Sequence, residues 1–367
     1  MIRRLARFVD EPVHPHVFGL VRFCLGVLLL RGLLPGIQEL SRGVYFGDFF
    51  HVPFFPWLTT PSRSAYALVL GTRALLGVLV VLGVSARPAL AASGVLGLYV
   101  LLLDRTQFHH NRYSLLLYVS LLAFAPVQRT LAWSQPPAPP EERWPIHGGA
   151  LAKLQIAIVY VASAGSKLVD PDWRDGTVLA LRLGTWAGRA AERGVPNAVV
   201  QWLSQPLPSS LLARGAITTE LFLAFALFRP RLRVPALWIG CMFHLLIELT
   251  SRVEAFTWLT LAMYATFVTH DVGARTFHYD GSQPVGRILA RLVRLTDWFR
   301  RYRVQPWRPD AVAGAHAIVI QRRDGTRATG LSAWVMAART LPLLFPLWAP
   351  LALLESALRS GDVNPRS

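Results

Sequence analysis

The chain has 367 residues, a formal net charge of +17, and a composition that is 53% hydrophobic and only 16% charged. Its apolar residues gather in blocks close to twenty long, the length that crosses roughly 30 Å of hydrocarbon, which excludes an ordinary water-soluble domain and predicts an integral membrane protein. Two cysteines, Cys24 and Cys241, both lie inside apolar blocks and suggest neither a disulfide framework nor a zinc site. The charge does not by itself indicate nucleic acid, because basic residues flanking membrane spans produce the same excess.

The amino-terminal MIRRLARFVDEPVHPHV mixes basic and acidic residues without the apolar core and cleavage site of a secretion signal. The first span is therefore expected to be the anchor. Blocks at 17–36, 64–85, 88–103, 113–133, 150–168, 211–228, 232–250 and 253–270 predict about eight transmembrane helices. The outer loop YFGDFFHVPFFPWLTTPS is aromatic and broken by proline, as expected of a segment that folds back into the interface or plugs the top of the bundle. Residues 132–145, AWSQPPAPPEERWP, read as an extended, exposed hinge that divides the bundle. Between the fifth and sixth blocks, short amphipathic pieces separated by Gly and Pro suit a membrane surface.

After residue 275 the character changes. FHYDG and HAIVIQRRDGTRATG read as strands around the amphipathic helix GRILARLVRLTDWFRRY, predicting a small α/β appendage. Pro342, Pro346 and Pro350 interrupt the apolar run 331–354, which could lie on the membrane rather than cross it. Eleven arginines fall between 275 and 327, so the tail belongs in the cytoplasm. With eight spans the amino terminus is then cytoplasmic too, in a bacterial inner membrane.

That orientation places several polar residues at one outer level. Lys167 ends the fifth block and is one of only two lysines, with Lys153, in an arginine-rich chain. His109, His110, Asn111 and Tyr113 stand at the start of the fourth block, and His244 lies in the outer half of the seventh. Glu220 lies deeper and could pair with Arg22 or Arg31. Each has a purely structural reading: a lysine snorkelling at a helix end, a loop cap, a histidine bonded to a neighbouring helix, a buried ion pair. Their shared depth favours a site. A lysine in an apolar setting can act as a base, because desolvation disfavours the ammonium, and nearby His and Asn side chains can orient a substrate.

Five stretches carry a resemblance in order along the chain: EPVHPHVFGLVRFCLGVLLL, FFHVPFFPWL, DRTQFHHNRYSLLLYVSLLAFAP, QIAIVYVASAGSKLVDPDWRDG and FHLLIELTSRVEAFTWLTLAMYATF. Residues 1–272 resemble the HTTM family, the membrane domain of vitamin K-dependent γ-glutamyl carboxylase and its bacterial relatives. The resemblance implies an all-α integral membrane bundle. It also implies that Lys167 deprotonates a reduced vitamin K or menaquinol, with O2 and CO2 as co-substrates and no metal. Oxygen attack then yields an alkoxide that removes a γ-proton from a glutamate-containing peptide, and the carbanion captures CO2. His244 matches the family histidine of the seventh span, whereas the family's Asn-His order appears here as His110-Asn111. Tyr113, Tyr160, Gln155, Trp173 and Glu220 are expected to bind substrate. Expected partners are membrane lipids, quinol and that peptide, not nucleic acid.

Residues 273–367 resemble the DCC family, thioredoxin-like proteins named for thiol-disulfide oxidoreductase chemistry. HYDGSQPVG and RDGTRATGLSAWVMAARTLPLLFPLWAPLALL carry the likeness, with Gln283 and Gly286 where that family has its two cysteines. A dithiol mechanism needs both thiols, so the appendage is expected to be a degenerate, redox-inactive structural or docking unit. For the whole chain, a peptide- or toxin-maturation role and transport stand beside quinol-dependent carboxylation.

Overall fold

Each of the eight apolar blocks contains an α-helix in the computed structural model, which describes residues 8–42, 52–133, 135–192, 194–251, 255–269, 271–306 and 318–361. The first part of the aromatic outer loop and the beginning of the HAIVIQ strand lie outside the described residues. Among those described, three helices have the length and apolarity to cross a membrane: His16–Ser41, Arg63–Leu82 and Gly148–Val169. A fourth candidate is the bent pair Gly330–Thr340 and Pro342–Ser360, if it counts as one broken span. The chain is thus mostly helical with three or four candidate spans and a small sheet near its carboxyl end.

Residues Met1–Val268 form one compact unit and Thr269–Ser367 a second. The first opens with β1 (Pro12–Val13), α1 (His16–Arg31) and α2 (Leu34–Arg42). Next come α3 (Arg63–Leu82), α4 (Ala86–Leu102) and α5 (His110–Leu122). Ser62 starts α3 by accepting a hydrogen bond from the Ala65 amide, and Gly83 ends it in the left-handed conformation. Small residues let these helices approach closely, as expected where no water drives packing. A Cβ on Gly94 or Gly97 of α4 would lie 2.3 Å from Ser120 Oγ or 2.1 Å from a Leu116 methyl of α5.

Two expectations are corrected here. The fourth block is helical only to Leu122; residues 123–131 turn instead, because Arg22, fully buried in α1, draws the carbonyls of Thr130 (3.1 Å) and Leu131 (2.7 Å) onto its guanidinium. Arg22 therefore does not pair with Glu220. The hinge at 132–145 is also no divider, since the compact unit runs through it. β2 (Trp144–Pro145) pairs antiparallel with β1, His14 Nε2 lies 2.9 Å from the Pro139 carbonyl, and Arg129 bonds Glu142 at 3.1 Å.

The unit continues with α6 (Gly148–Val169), α7 (Pro171–Arg174), α8 (Thr177–Ala191) and α9 (Asn197–Leu203). It closes with α10 (Pro206–Ala226), α11 (Arg233–Ser251) and α12 (Phe256–Tyr264). Asp170 caps α7 through the Asp172 amide, and Pro171 occupies its first turn, where the missing N–H costs nothing. Helix α10 packs along α6, and α12 contacts both α6 and α5.

In the second unit, β3 (Arg275–Tyr279), α13 (Pro284–Thr296) and β4 (Tyr302–Pro306) make a parallel βαβ element. β5 (Ile318–Gln321) and β6 (Arg327–Thr329) add antiparallel strands, giving the order β4-β3-β5-β6. Phe277, Val293, Tyr302, Ile320, Ala333 and Ala337 form its core. The run 331–354 is not one helix: α14 (Gly330–Thr340), a 3-10 turn (Pro342–Leu347) and α15 (Trp348–Gly361) follow in turn, with a 120° bend where the prolines fall. Buried Asp271 joins Arg275, Arg301 and Arg323. Burial alone would raise its carboxyl, but Arg301 and Arg275, with the hydrogen bonds from Arg275 and Arg323, outweigh it and hold it at about 2.

Candidate functional site

Tyr160, Ser163, Ala164 and Lys167 recur at i, i+3, i+4 and i+7, one face of α6. Lys167 Nζ donates to Ser163 Oγ at 2.6 Å and to Oε1 and Oε2 of Glu220, on the facing α10, at 2.6 and 2.7 Å. Ser163 Oγ also donates to Glu220 Oε1 at 3.1 Å. The two charged side chains are only 15% and 8% exposed. Trp173 of α7 completes the group, with Lys167 Nζ 5.1 Å from its ring centroid and the Arg182 guanidinium 5.3 Å from the same ring. An ammonium has three N–H donors, and Ser163 and the two Glu220 oxygens account for all three.

Two turns earlier on the same face, the Tyr160 hydroxyl lies 2.7 Å from His244 Nε2 of α11 and is hydrogen-bonded to the Tyr264 hydroxyl of α12. Thr257 Oγ1 reaches the His244 carbonyl at 3.4 Å. Gly240, one turn before His244, makes this meeting possible: a Cβ there would lie 2.3 Å from the Tyr264 hydroxyl oxygen. His244 is buried, and its Nδ1 has no hydrogen-bond partner among the described residues.

The four residues at the start of α5 divide. His109 is a cap, its Nδ1 accepting from the Asn111 amide at 3.3 Å and its ring stacked on His110 at 4.8 Å. His110 and Tyr113 are exposed, and Tyr113 lies 6.2 Å from the Phe108 ring. Asn111 points inward: it is buried, and neither Nδ2 nor Oδ1 has a partner among the described residues. Gln155 is half-buried on α6, more than a turn before Tyr160.

Direct contacts therefore join Lys167, Glu220 and Trp173 in one group and Tyr160 with His244 in a second. Among the described residues, no hydrogen bond, ion pair or ring contact joins Asn111, Tyr113 or Gln155 to either group. Sequence reasoning missed Ser163, Arg182, Tyr264 and Gly240. Ser163 was within reach of it, standing one helical turn before Lys167; the others depend on which helices become neighbours.

Helices long enough to span a bilayer, with polar and hydroxyl side chains buried on their inner faces, are the architecture of a polytopic membrane protein. Over residues 10–271 the sequence matches the HTTM domain. The chain belongs to that family, and is thus a membrane protein of the vitamin K-dependent carboxylase-like group. No curated protein and no solved structure matches the chain.

Proposed function

We propose that the chain is a membrane enzyme that deprotonates a quinol, and that the base is the Lys167–Glu220 pair rather than a lone lysine. The observation that carries this reading is the triply bonded amine. Only a neutral amine accepts a proton, so Lys167 must first pass one to Glu220, and contacts of 2.6 and 2.7 Å make that transfer direct. Nζ then takes the proton of a quinol hydroxyl, while Trp173 supplies a flat apolar wall. Reduced vitamin K or menaquinol would supply the reaction with O2 that drives proton abstraction from a glutamyl peptide and its carboxylation by CO2.

An unpartnered polar atom supports a quinone-like ligand. Buried polar atoms in native structures are nearly always bonded, and His244 Nδ1, beside the Tyr160 hydroxyl group, has no partner among the described residues, which leaves it one polar position to offer a ligand oxygen. The βαβ element followed by an antiparallel pair and a helix supports the thioredoxin-like reading of the tail. With Gln283 and Gly286 where a dithiol would stand, the tail serves on this reading as a structural or docking unit rather than a redox domain.

One observation favours a second reading: the same saturated bonding of Lys167 is what a purely structural clamp between α6 and α10 would show. Epoxide formation by the purified protein given reduced quinone and oxygen separates the two. The enzymatic reading expects product from wild type and none from Lys167→Ala or Lys167→Arg, since a guanidinium does not give up its proton. A clamp expects no epoxide from any of them and tolerance of arginine in thermal stability.

A further inference from the structure

In the second unit, α13 is amphipathic twice over. Its inner face is fixed against the sheet: Gly286, Ala290 and Val293 are buried, and a Cβ on Gly286 would lie 2.2 Å from the Asp280 carbonyl oxygen. Its outer face is apolar as well. Val285, Ile288, Leu292 and Leu295 follow one another at i, i+3, i+7 and i+10, and every one is at least 50% exposed. The stripe runs roughly 15 Å along the axis, and exposed Trp298 follows it.

What covers this stripe is indicated by its edge. Arg287, Arg291 and Arg294 run along one side at i, i+4 and i+7, all exposed, and the helix contains no acidic residue. Arg287 bonds the carbonyls of Gly281 and Ser282 at 2.9 and 3.2 Å, and Arg294 lies 5.9 Å from the Tyr279 ring centroid. Their side chains are thus held beside the stripe. Apolar side chains flanked by arginines and ended by a tryptophan match the requirements of a bilayer interface, where the apolar face enters the acyl boundary and the guanidinium groups meet anionic headgroups. The chain is membrane-embedded, so such a surface is tethered near by and docking is intramolecular.

We propose that the outer face of α13 lies on an anionic lipid surface and holds the second unit to the membrane. This rests on the geometry of the second unit and is independent of the quinol reading. The partner is the headgroup layer of a phosphatidylglycerol-containing bilayer. Docking weakens roughly fivefold for each arginine removed, from about 1 kcal/mol per basic residue near such a surface.

The test uses the full chain in lipid nanodiscs, with Cys24→Ser and Cys241→Ala as background and a fluorophore on Leu292→Cys. A second label on Thr326→Cys, in the exposed β5–β6 turn, serves as the control. Discs are made of phosphatidylcholine alone or mixed equally with phosphatidylglycerol, each containing a lipid with a quencher near its headgroup. The expected result is strong lipid quenching at 292 in the mixed discs, several-fold weaker quenching in phosphatidylcholine, little at 326 in either, and loss of the difference in Arg287→Gln/Arg291→Gln/Arg294→Gln. Equal quenching at 292 in both lipids overturns the proposal, as does free access of aqueous iodide to that label in mixed discs. Protection from both quenchers, with crosslinking between copies, assigns the stripe to a second copy and overturns it equally.

Discussion

The two lysines of the chain sit on the same helix, 14 positions apart, or roughly 21 Å along its axis, and their surroundings differ. Lys153, near the start of α6, has a carboxylate partner at 3.9 Å, Glu11, which is 52% exposed, and its ammonium lies 5.7 Å from the Phe267 ring centroid. Lys167, near the end, meets Glu220 at 2.6 Å with both side chains largely hidden. A lysine whose partner stands in water needs only somewhere to put its charge. One whose three donors all meet protein oxygens is part of a built group, and on the proposed reading its chemistry begins with a proton moving within that group.

Substitutions at the Lys167 end should cost most. Lys167→Ala leaves the Glu220 carboxylate buried without its cation, a loss of roughly 3–5 kcal/mol. Lys153→Ala should cost less: it removes the packing of a stem that is itself only 9% exposed, but it leaves Glu11 to water rather than burying an unpaired charge. Thermal unfolding of the two variants in one detergent checks this, and equal losses would erase the distinction. In the same assay, Lys167→Ala combined with Glu220→Gln should recover part of the loss, because the uncompensated charge is gone.

The neighbouring hydroxyl group sharpens the comparison at smaller scale. Tyr160→Phe strips His244 and Tyr264 of their shared partner, an expected cost of roughly 1–3 kcal/mol. Gly240→Ala drives a methyl into Tyr264 and should cost a similar roughly 1–3 kcal/mol. Thermal unfolding of both variants checks this; unchanged stability in both would mean that the contact is dispensable.

The last effect lies in the second unit and, in the unsubstituted chain, appears in acid. The Asp271 carboxyl sits at about 2, below its ordinary 3.8, so the folded state binds this proton less readily than the unfolded one. Its stabilisation is complete above pH 3.8 and is lost as pH falls toward about 2. Hydrogen exchange at the β3 amides of the full chain should quicken across that window, and Asp271→Asn should show the faster exchange already near neutrality.

The sequence made the helices legible because apolar blocks of bilayer length are a one-dimensional signal. It also singled out Lys167, by rarity and by its place at the end of a block. Glu220 was legible as a buried charge but not as the partner of Lys167: the packing of α10 along α6 is a long-range fact, and the two arginines of α1 offered equally good local candidates. The early end of α5 was hidden for the same reason, since Arg22, some 100 residues away in sequence, supplies the donors that let residues 123–131 leave the helix. The tail strands and their helix were readable from alternation and amphipathicity, whereas the second exposed stripe of α13 became visible only once the first face was seen to be spent on the sheet.

The measurement that bears most directly on the paired base is the rate of quinol epoxidation by Glu220→Gln beside wild type, with folding verified by unfolding temperature. If Lys167 must hand its proton to Glu220 before accepting another, the amide variant makes no epoxide although its lysine is intact. A variant that is folded and turns over at the wild-type rate would contradict the account, leaving Lys167 either a base on its own or no base at all.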